Sequence, residues 1–126
     1  MENGEIKNFF DLKTWKDAHH ITLEVYILTK EFPKDEQFGL VSQMRRAAAS
    51  IGANIAEGFG RFHFKEKIKF YQQARGSLIE LQNHFILAVD LGYIDKNKKE
   101  MLLEKTNTIT QEINGLIKSI NIQIDK

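Results

Sequence analysis

Three side chains on two predicted helices have the residue types of a metal site: Glu57, Glu80 and His84. Carboxylates and histidine coordinate metal ions in carboxylate-bridged helical bundles. Those bundles use a Glu-x-x-His spacing, whereas three residues separate Glu80 from His84. We therefore favour a hydrogen-bonded network in which Arg45 or Arg46 pairs with a carboxylate. A metal-dependent bundle enzyme stays the less favoured alternative.

The other candidates for chemistry lack the neighbours that catalysis needs. The stretch GFGR at 58–61 follows no predicted strand and lacks the spacing of a phosphate-binding loop. We interpret Gly58 and Gly60 as the cap of a helix. His19 and His20 are adjacent on a predicted helix and face different directions, and no Ser, Cys or Asp is arranged around them. The sequence predicts a protein that is not an enzyme and uses no cofactor, no metal and no small-molecule substrate.

Composition sets the class of protein. With 126 residues, 42% hydrophobic and 28% charged, the chain has the size and balance of one globular domain, residues 1–126. A single Pro and 8 Gly favour helix over a turn-rich β fold. The chain has no Cys and no apolar run of the ~18 residues that a membrane span needs. We expect a soluble, cytoplasmic protein without membrane association.

Hydrophobic periodicity predicts four helices. Each segment repeats apolar residues at i, i+3 and i+4, and short loops separate the segments. The segments begin near Asp11 or Thr14, Phe38, Phe64 and after the N-cap Asp95, and the first three end before Pro33, at Glu57 and at Leu91. Helices joined by short loops pack as antiparallel neighbours. The predicted fold is an all-α, antiparallel up-down-up-down four-helix bundle.

Polar residues of the second and third helices repeat at spacings of three and four. We name this set the polar seam and interpret it as a structural network that fixes helix register, with Asn54 bonding Ser77. The seam comprises Gln43, Arg46, Ser50, Asn54, Glu57, Ser77, Glu80 and His84.

A second feature of the predicted second helix is an alanine ridge, Ala49, Ala53 and Ala56, which permits close approach by another helix. Only Val41, Arg45 and Gly52 are then left for a strip that faces solvent. A helix that is apolar or small nearly all round is expected to be buried nearly all round, whereas a lone bundle leaves each helix a solvent face. We therefore predict a homo-oligomer.

A basic patch follows the second helix, although the net charge is only +1. Residues 41–80 carry seven Lys or Arg against three Glu. The patch comprises Arg61, Lys65, Lys67, Lys69 and Arg75, with Phe62, Phe64 and Tyr71 interleaved. We favour a solvated helix start with core aromatics, and the alternative is a nucleic-acid interface whose field is multiplied in an oligomer.

Sequence motifs identify a family resemblance over residues 9–120. They are F-P-x-x-E-x-x-G-L at 32–40, Q-x-R-R-A-x-x-S-I-x-x-N-I-A-E-G-x-G-R at 43–61 and A-x-x-S-x-x-E-L at 74–81. The chain resembles the bacterial four-helix-bundle proteins called 23S rRNA intervening-sequence proteins. The resemblance implies a left-handed bundle that assembles into a homopentamer.

A related group, the accessory variability proteins of diversity-generating retroelements, binds a reverse transcriptase and nucleic acid. That group is markedly basic, and the net charge of +1 departs from it. The chain is thus expected to be a non-enzymatic pentameric scaffold that acts through a protein or RNA partner. An RNA-binding accessory factor is the alternative.

Overall fold

The computed structural model describes residues 6–125, and this range contains helices and turns but no strand. Two short 3₁₀ turns, Phe9–Asp11 and Lys34–Glu36, precede the first and second α-helices. The four α-helices are α1 (Lys13–Thr29), α2 (Leu40–Gly60), α3 (Phe64–Asp90) and α4 (Lys96–Ile124). The prediction of an all-α protein with four helices is confirmed. None of these helices is both long and apolar enough to cross a membrane.

The four helices surround one apolar core. α1 and α3 each pack closely against α2 and α4, and among residues 6–125 the backbones of the diagonal pairs do not approach each other as closely. Burial of one Leu, Ile, Met or Phe side chain contributes ~1.5–3 kcal/mol, so the apolar stripes hold the bundle together. The largest fully buried side chains include Ile21, Met44, Ile51, Leu78, Phe85, Leu102 and Ile113.

The start of α2 differs from the prediction, because the helix begins at Leu40 and not at Phe38. Phe38 is 92% exposed in the preceding turn. Glu36 fixes this start: its Oε1 accepts a hydrogen bond from the Leu40 amide at 3.3 Å. Its Oε2 accepts one from the Tyr93 hydroxyl at 2.7 Å. Glu36 therefore ties the beginning of α2 to the loop that follows α3.

The end of α2 corrects the interpretation of Gly58 and Gly60 as a left-handed cap. The helix continues through both glycines, and Arg61 leaves it in an extended conformation. Gly58 is buried, and a Cβ built there would lie 2.7 Å from Cε1 of Tyr71. Gly58 is therefore a glycine of close helix packing, which lets the Tyr71 ring of α3 rest on the α2 backbone.

The ends of α3 and α4 agree with the sequence signals. Gly92 adopts a φ of 81°, a left-handed conformation that stops α3. Asp95 caps α4, because its Oδ1 accepts a hydrogen bond from the Lys98 amide at 2.7 Å.

Candidate functional site

The outward face of α2 is the first candidate surface, and the structure corrects which residues form it. Val41 and Gly52 are buried, so the predicted solvent strip is wrong. α1 covers this side of the helix: a Cβ at Gly52 would lie 3.4 Å from Nε1 of Trp15. Arg45 is half-buried, and its Nε donates to Thr29 Oγ1 at 2.9 Å. Gly52 thus serves helix packing within the protomer.

The exposed strip of α2 consists instead of the alanine ridge and its polar neighbours. Ala49 and Ala53 are exposed, and Ala56 is half-buried. No charged residue occurs between Arg46 and Glu57, so the middle of the strip presents only small or uncharged groups to solvent. A Cβ at Gly60 would meet no atom within 4 Å. Such a smooth, uncharged helix face is unusual for a solvent-exposed position.

The centre of the polar seam is a hydrogen-bonded contact between α2 and α3. The hydroxyl oxygens of Ser50 and Ser77 lie 2.9 Å apart. Asn54 Nδ2 donates to the Ser50 carbonyl at 2.9 Å and to the Ser50 hydroxyl at 3.0 Å. Asn54 therefore reaches Ser77 only through Ser50, and not directly as expected. The role of the seam in fixing register stays a prediction.

The charged members of the seam do not pair across it. Arg46 is exposed and its Nη2 lies 3.4 Å from Ser42 Oγ, and Gln43 is also exposed. Glu57 binds Arg61 on the helix surface, with Nη2 and Oε2 3.0 Å apart. The expected pairing of Arg45 or Arg46 with Glu57 or Glu80 is therefore wrong. Solvent-exposed carboxylates need no buried partner, and an exposed pair contributes little stability.

His84 is the buried end of the seam. It is 7% exposed, and its Nε2 lies 3.2 Å from Oε2 of the exposed Glu80. Its Nδ1 has no hydrogen-bond partner among the described residues. Within residues 6–125 no three His, Asp or Glu side chains lie close enough to hold a metal ion. The structure therefore does not bring Glu57 together with Glu80 and His84.

Some cations of the basic patch are exposed to solvent, and others form hydrogen bonds to neighbouring helices. Arg61, Lys65 and Lys69 are exposed, and Arg61 also pairs with Glu57 at the surface. Lys67 is half-buried and donates to the carbonyls at the end of α2, and Arg75 binds the Asn114 side chain of α4.

The aromatic residues of the patch divide in the same way. Tyr71 belongs to the core, as expected. Phe62 is 88% exposed and Phe64 39% exposed, so these two are not core aromatics. The patch therefore offers cations and aromatic rings to solvent at the same end of the bundle.

A charged cluster between α1 and α4 was not found from the sequence. Lys13 Nζ lies 2.7 Å from Asp17 Oδ2 and 3.0 Å from Glu112 Oε2. Burial raises the pKa of Glu112, and the negative charge of Asp17 adds to the rise. Burial opposes the ionisation of Asp17, but the hydrogen bond from Lys13 holds its pKa below the usual value. The pair of Lys13 and Asp17 could have been recognised from their i, i+4 spacing in the sequence. The contact with the distant Glu112 could not.

These features define the class of protein: an all-α four-helix bundle with an uncharged face on α2. Residues 10–115 match the 23S rRNA-intervening sequence protein family, and the chain belongs to that family.

The fold has a counterpart of known structure. It is similar to the crystal structure of a protein with unknown function from the S23 ribosomal protein family of Bacteroides thetaiotaomicron. The TM-score is 0.77 at 21% sequence identity, and the match covers 83% of this chain and 95% of that one. No curated protein sequence matches the chain. The family and the all-α four-helix fold are those that the motifs predicted.

Proposed function

We propose that the chain is a non-enzymatic scaffold, a single-domain antiparallel bundle that assembles into a homopentamer. The exposed alanine ridge of α2 carries the proposal. Ala49 and Ala53 present almost no side chain, so a helix of a second copy can approach them closely. Association there would remove small apolar surface from water without burying a charge. The stoichiometry of five is the one that the family resemblance implies.

Contacts between the helices support the up-down-up-down order. Between α1 and α4, Lys13 contacts Glu112 and Glu24 contacts Lys105, so the sequence order is reversed. Between α3 and α4, Arg75 bonds Asn114 and Gln82 bonds Thr106, again in reversed order. Ser50 of α2 contacts Ser77 of α3, and Glu36, which precedes α2, contacts Tyr93, which follows α3. The sequence order is therefore reversed between α2 and α3 as well.

Light scattering coupled to gel filtration tests the assembly. The wild type is expected to elute with five times the protomer mass of 14.6 kDa. Ala53→Glu places a charge in the middle of the ridge and should shift the protein to smaller species. The matched control is Gln111→Glu, which adds the same charge at an exposed position of α4. A wild-type monomer would refute the proposal, and equal masses for both variants would remove the ridge from the interface.

The second candidate function is an RNA-binding accessory factor of a reverse transcriptase or of an rRNA insertion. The exposure of Phe62 beside Arg61 and Lys65 is the observation in its favour. Nucleic-acid bases stack on aromatic rings, while cations neutralise phosphates. A ring of five copies would repeat this patch five times, and affinity should then fall steeply with salt.

A gel-shift series with single-stranded RNA over increasing salt tests this function. We expect Phe62→Ala and Lys65→Ala each to weaken retardation. Lys118→Ala is the matched control because it removes an exposed cation of α4 outside the patch. No retardation at low salt would refute RNA binding and leave the scaffold proposal intact. In either case we place the protein in the bacterial cytoplasm.

A further inference from the structure

A cavity of about 640 Å³ lies at the end of the bundle where α2 ends and α3 begins. Its volume is in the range of ~300–1,000 Å³ typical of small-molecule sites. Residues from the N-terminal segment and from α2, α3 and α4 meet here. Most of the lining is apolar: Leu12, Phe59, Phe64, Leu116 and Ile120. An occupant must therefore present a largely apolar body.

One cation stands at the wall of this cavity without an anionic partner. Lys67 is half-buried, and its Nζ donates to the carbonyls of Phe59 at 2.7 Å and Gly58 at 3.3 Å. No Asp or Glu among residues 6–125 forms an ion pair with it. Burial lowers the pKa of Lys67, and no neighbouring carboxylate among the described residues offsets this effect. An ammonium has three donors, so one remains for a ligand.

A second donor lines the same cavity. Tyr71 is 3% exposed, and its hydroxyl makes no hydrogen bond to any described residue. Burial raises the pKa of Tyr71 to about 12, so the hydroxyl keeps its proton at neutral pH. Lys67 and Tyr71 are four positions apart on α3 and therefore lie on the same side of the helix. A cavity with apolar walls, a cation and a neutral hydroxyl is complementary to a ligand that has one anionic head group and an apolar tail.

We propose that this cavity binds a medium-chain monocarboxylate, with its carboxylate on Lys67 and Tyr71 and its acyl chain among the apolar side chains. The proposal is independent of the scaffold assembly and of RNA binding. It concerns a bound ligand and involves no reaction.

Calorimetric titration of the full chain with decanoate tests the site, with 1-decanol as the neutral probe of equal length. Decanoate should bind at least about tenfold more tightly than decanol, because a hydrogen bond to a charged group is the stronger kind. Lys67→Met should remove that preference, and Tyr71→Phe should weaken decanoate binding while keeping the ring that packs on Gly58. Lys118→Met, which removes an exposed cation of α4 that does not line the cavity, is the matched control and should bind like the wild type.

Three outcomes would overturn the proposal. They are no decanoate binding by a folded wild type, equal affinity for decanoate and decanol, and unchanged binding by both cavity variants. Circular dichroism of each variant separates loss of binding from loss of folding. The oligomeric mass, measured in parallel, keeps this test separate from that of the scaffold.

Discussion

Substitution of Gly58 by alanine is the sharpest test of how α2 and α3 pack. The added Cβ would lie 2.7 Å and 2.8 Å from two ring carbons of Tyr71 and 3.2 Å from the Lys67 carbonyl oxygen. A buried ring and a helix backbone cannot move aside cheaply, and overpacking of this kind costs about 1–3 kcal/mol. Alanine also gains about 0.5–1 kcal/mol over glycine within a helix. We expect a net loss of about 0–2.5 kcal/mol in the free energy of unfolding.

Gly115→Ala is the matched control for this substitution. Gly115 lies within α4, and a Cβ there would meet no atom within 4 Å. Only the helix-propensity gain remains, so this variant should be about 0.5–1 kcal/mol more stable than the wild type. For a chain of this size 1 kcal/mol corresponds to about 3–5 °C in Tm. The two variants should therefore differ by roughly 3–15 °C.

Urea and thermal unfolding followed by circular dichroism, at one protein concentration, measure this difference. A double-mutant cycle then assigns it: Tyr71→Leu removes the ring from the clash, so Gly58→Ala should cost less in that background. If Gly58→Ala is as stable as Gly115→Ala, the close approach of Tyr71 to α2 is not present in solution. If Gly58→Ala lowers the free energy of unfolding by the same amount in both backgrounds, the Tyr71 ring is not the group that the added Cβ contacts.

Three further predictions concern polar contacts. Tyr93→Phe loses the hydrogen bond to Glu36 and should lower the free energy of unfolding by about 1 kcal/mol, measured in urea; no change would discount this link between α2 and α3. Ser50→Ala leaves Asn54 short of a partner and should cost about 1–3 kcal/mol in the same assay. The pKa of Glu112 is raised in the folded state. Its contribution to the free energy of unfolding is therefore present at a pH below the unfolded pKa of 4.5 and is lost as the pH rises through the folded pKa. Relative to the wild type, Glu112→Gln should thus gain stability as pH rises above 4.5, and a constant difference across pH would contradict this.

The helices could be predicted from the sequence because their signals are local. The apolar repeat, the cap at Asp95 and the stop at Gly92 depend on residues within a turn or two of one another. Gly58 shows where local signals fail. A glycine near the end of a helix is typical of a cap, but here the distant Tyr71 ring requires it, and only the packing of α3 decides between the two roles.

The candidate surfaces were predicted less well, for the same reason. A helical wheel places Ala49 and Gly52 on defined faces of α2 but does not say which face α1 covers. The pair of Glu57 and Arg61, four positions apart, was a local signal, but the wheel could not show that Arg46 stays at the surface. The contact of Lys13 with Glu112 spans 99 residues, and no local pattern encodes it.

The small residues of α2 therefore divide into two sets with separable effects. Gly52 and Gly58 face α1 and α3, so bulk added there should weaken the protomer itself. Ala49 and Ala53 are exposed, so a charge there should affect only association. If copies associate through the ridge, the wild-type Tm rises with protein concentration, whereas the Tm of Ala53→Glu is constant and equals the wild-type value at high dilution. If the Tm of Ala53→Glu is lower than the wild-type Tm at high dilution, the ridge also stabilises the single chain.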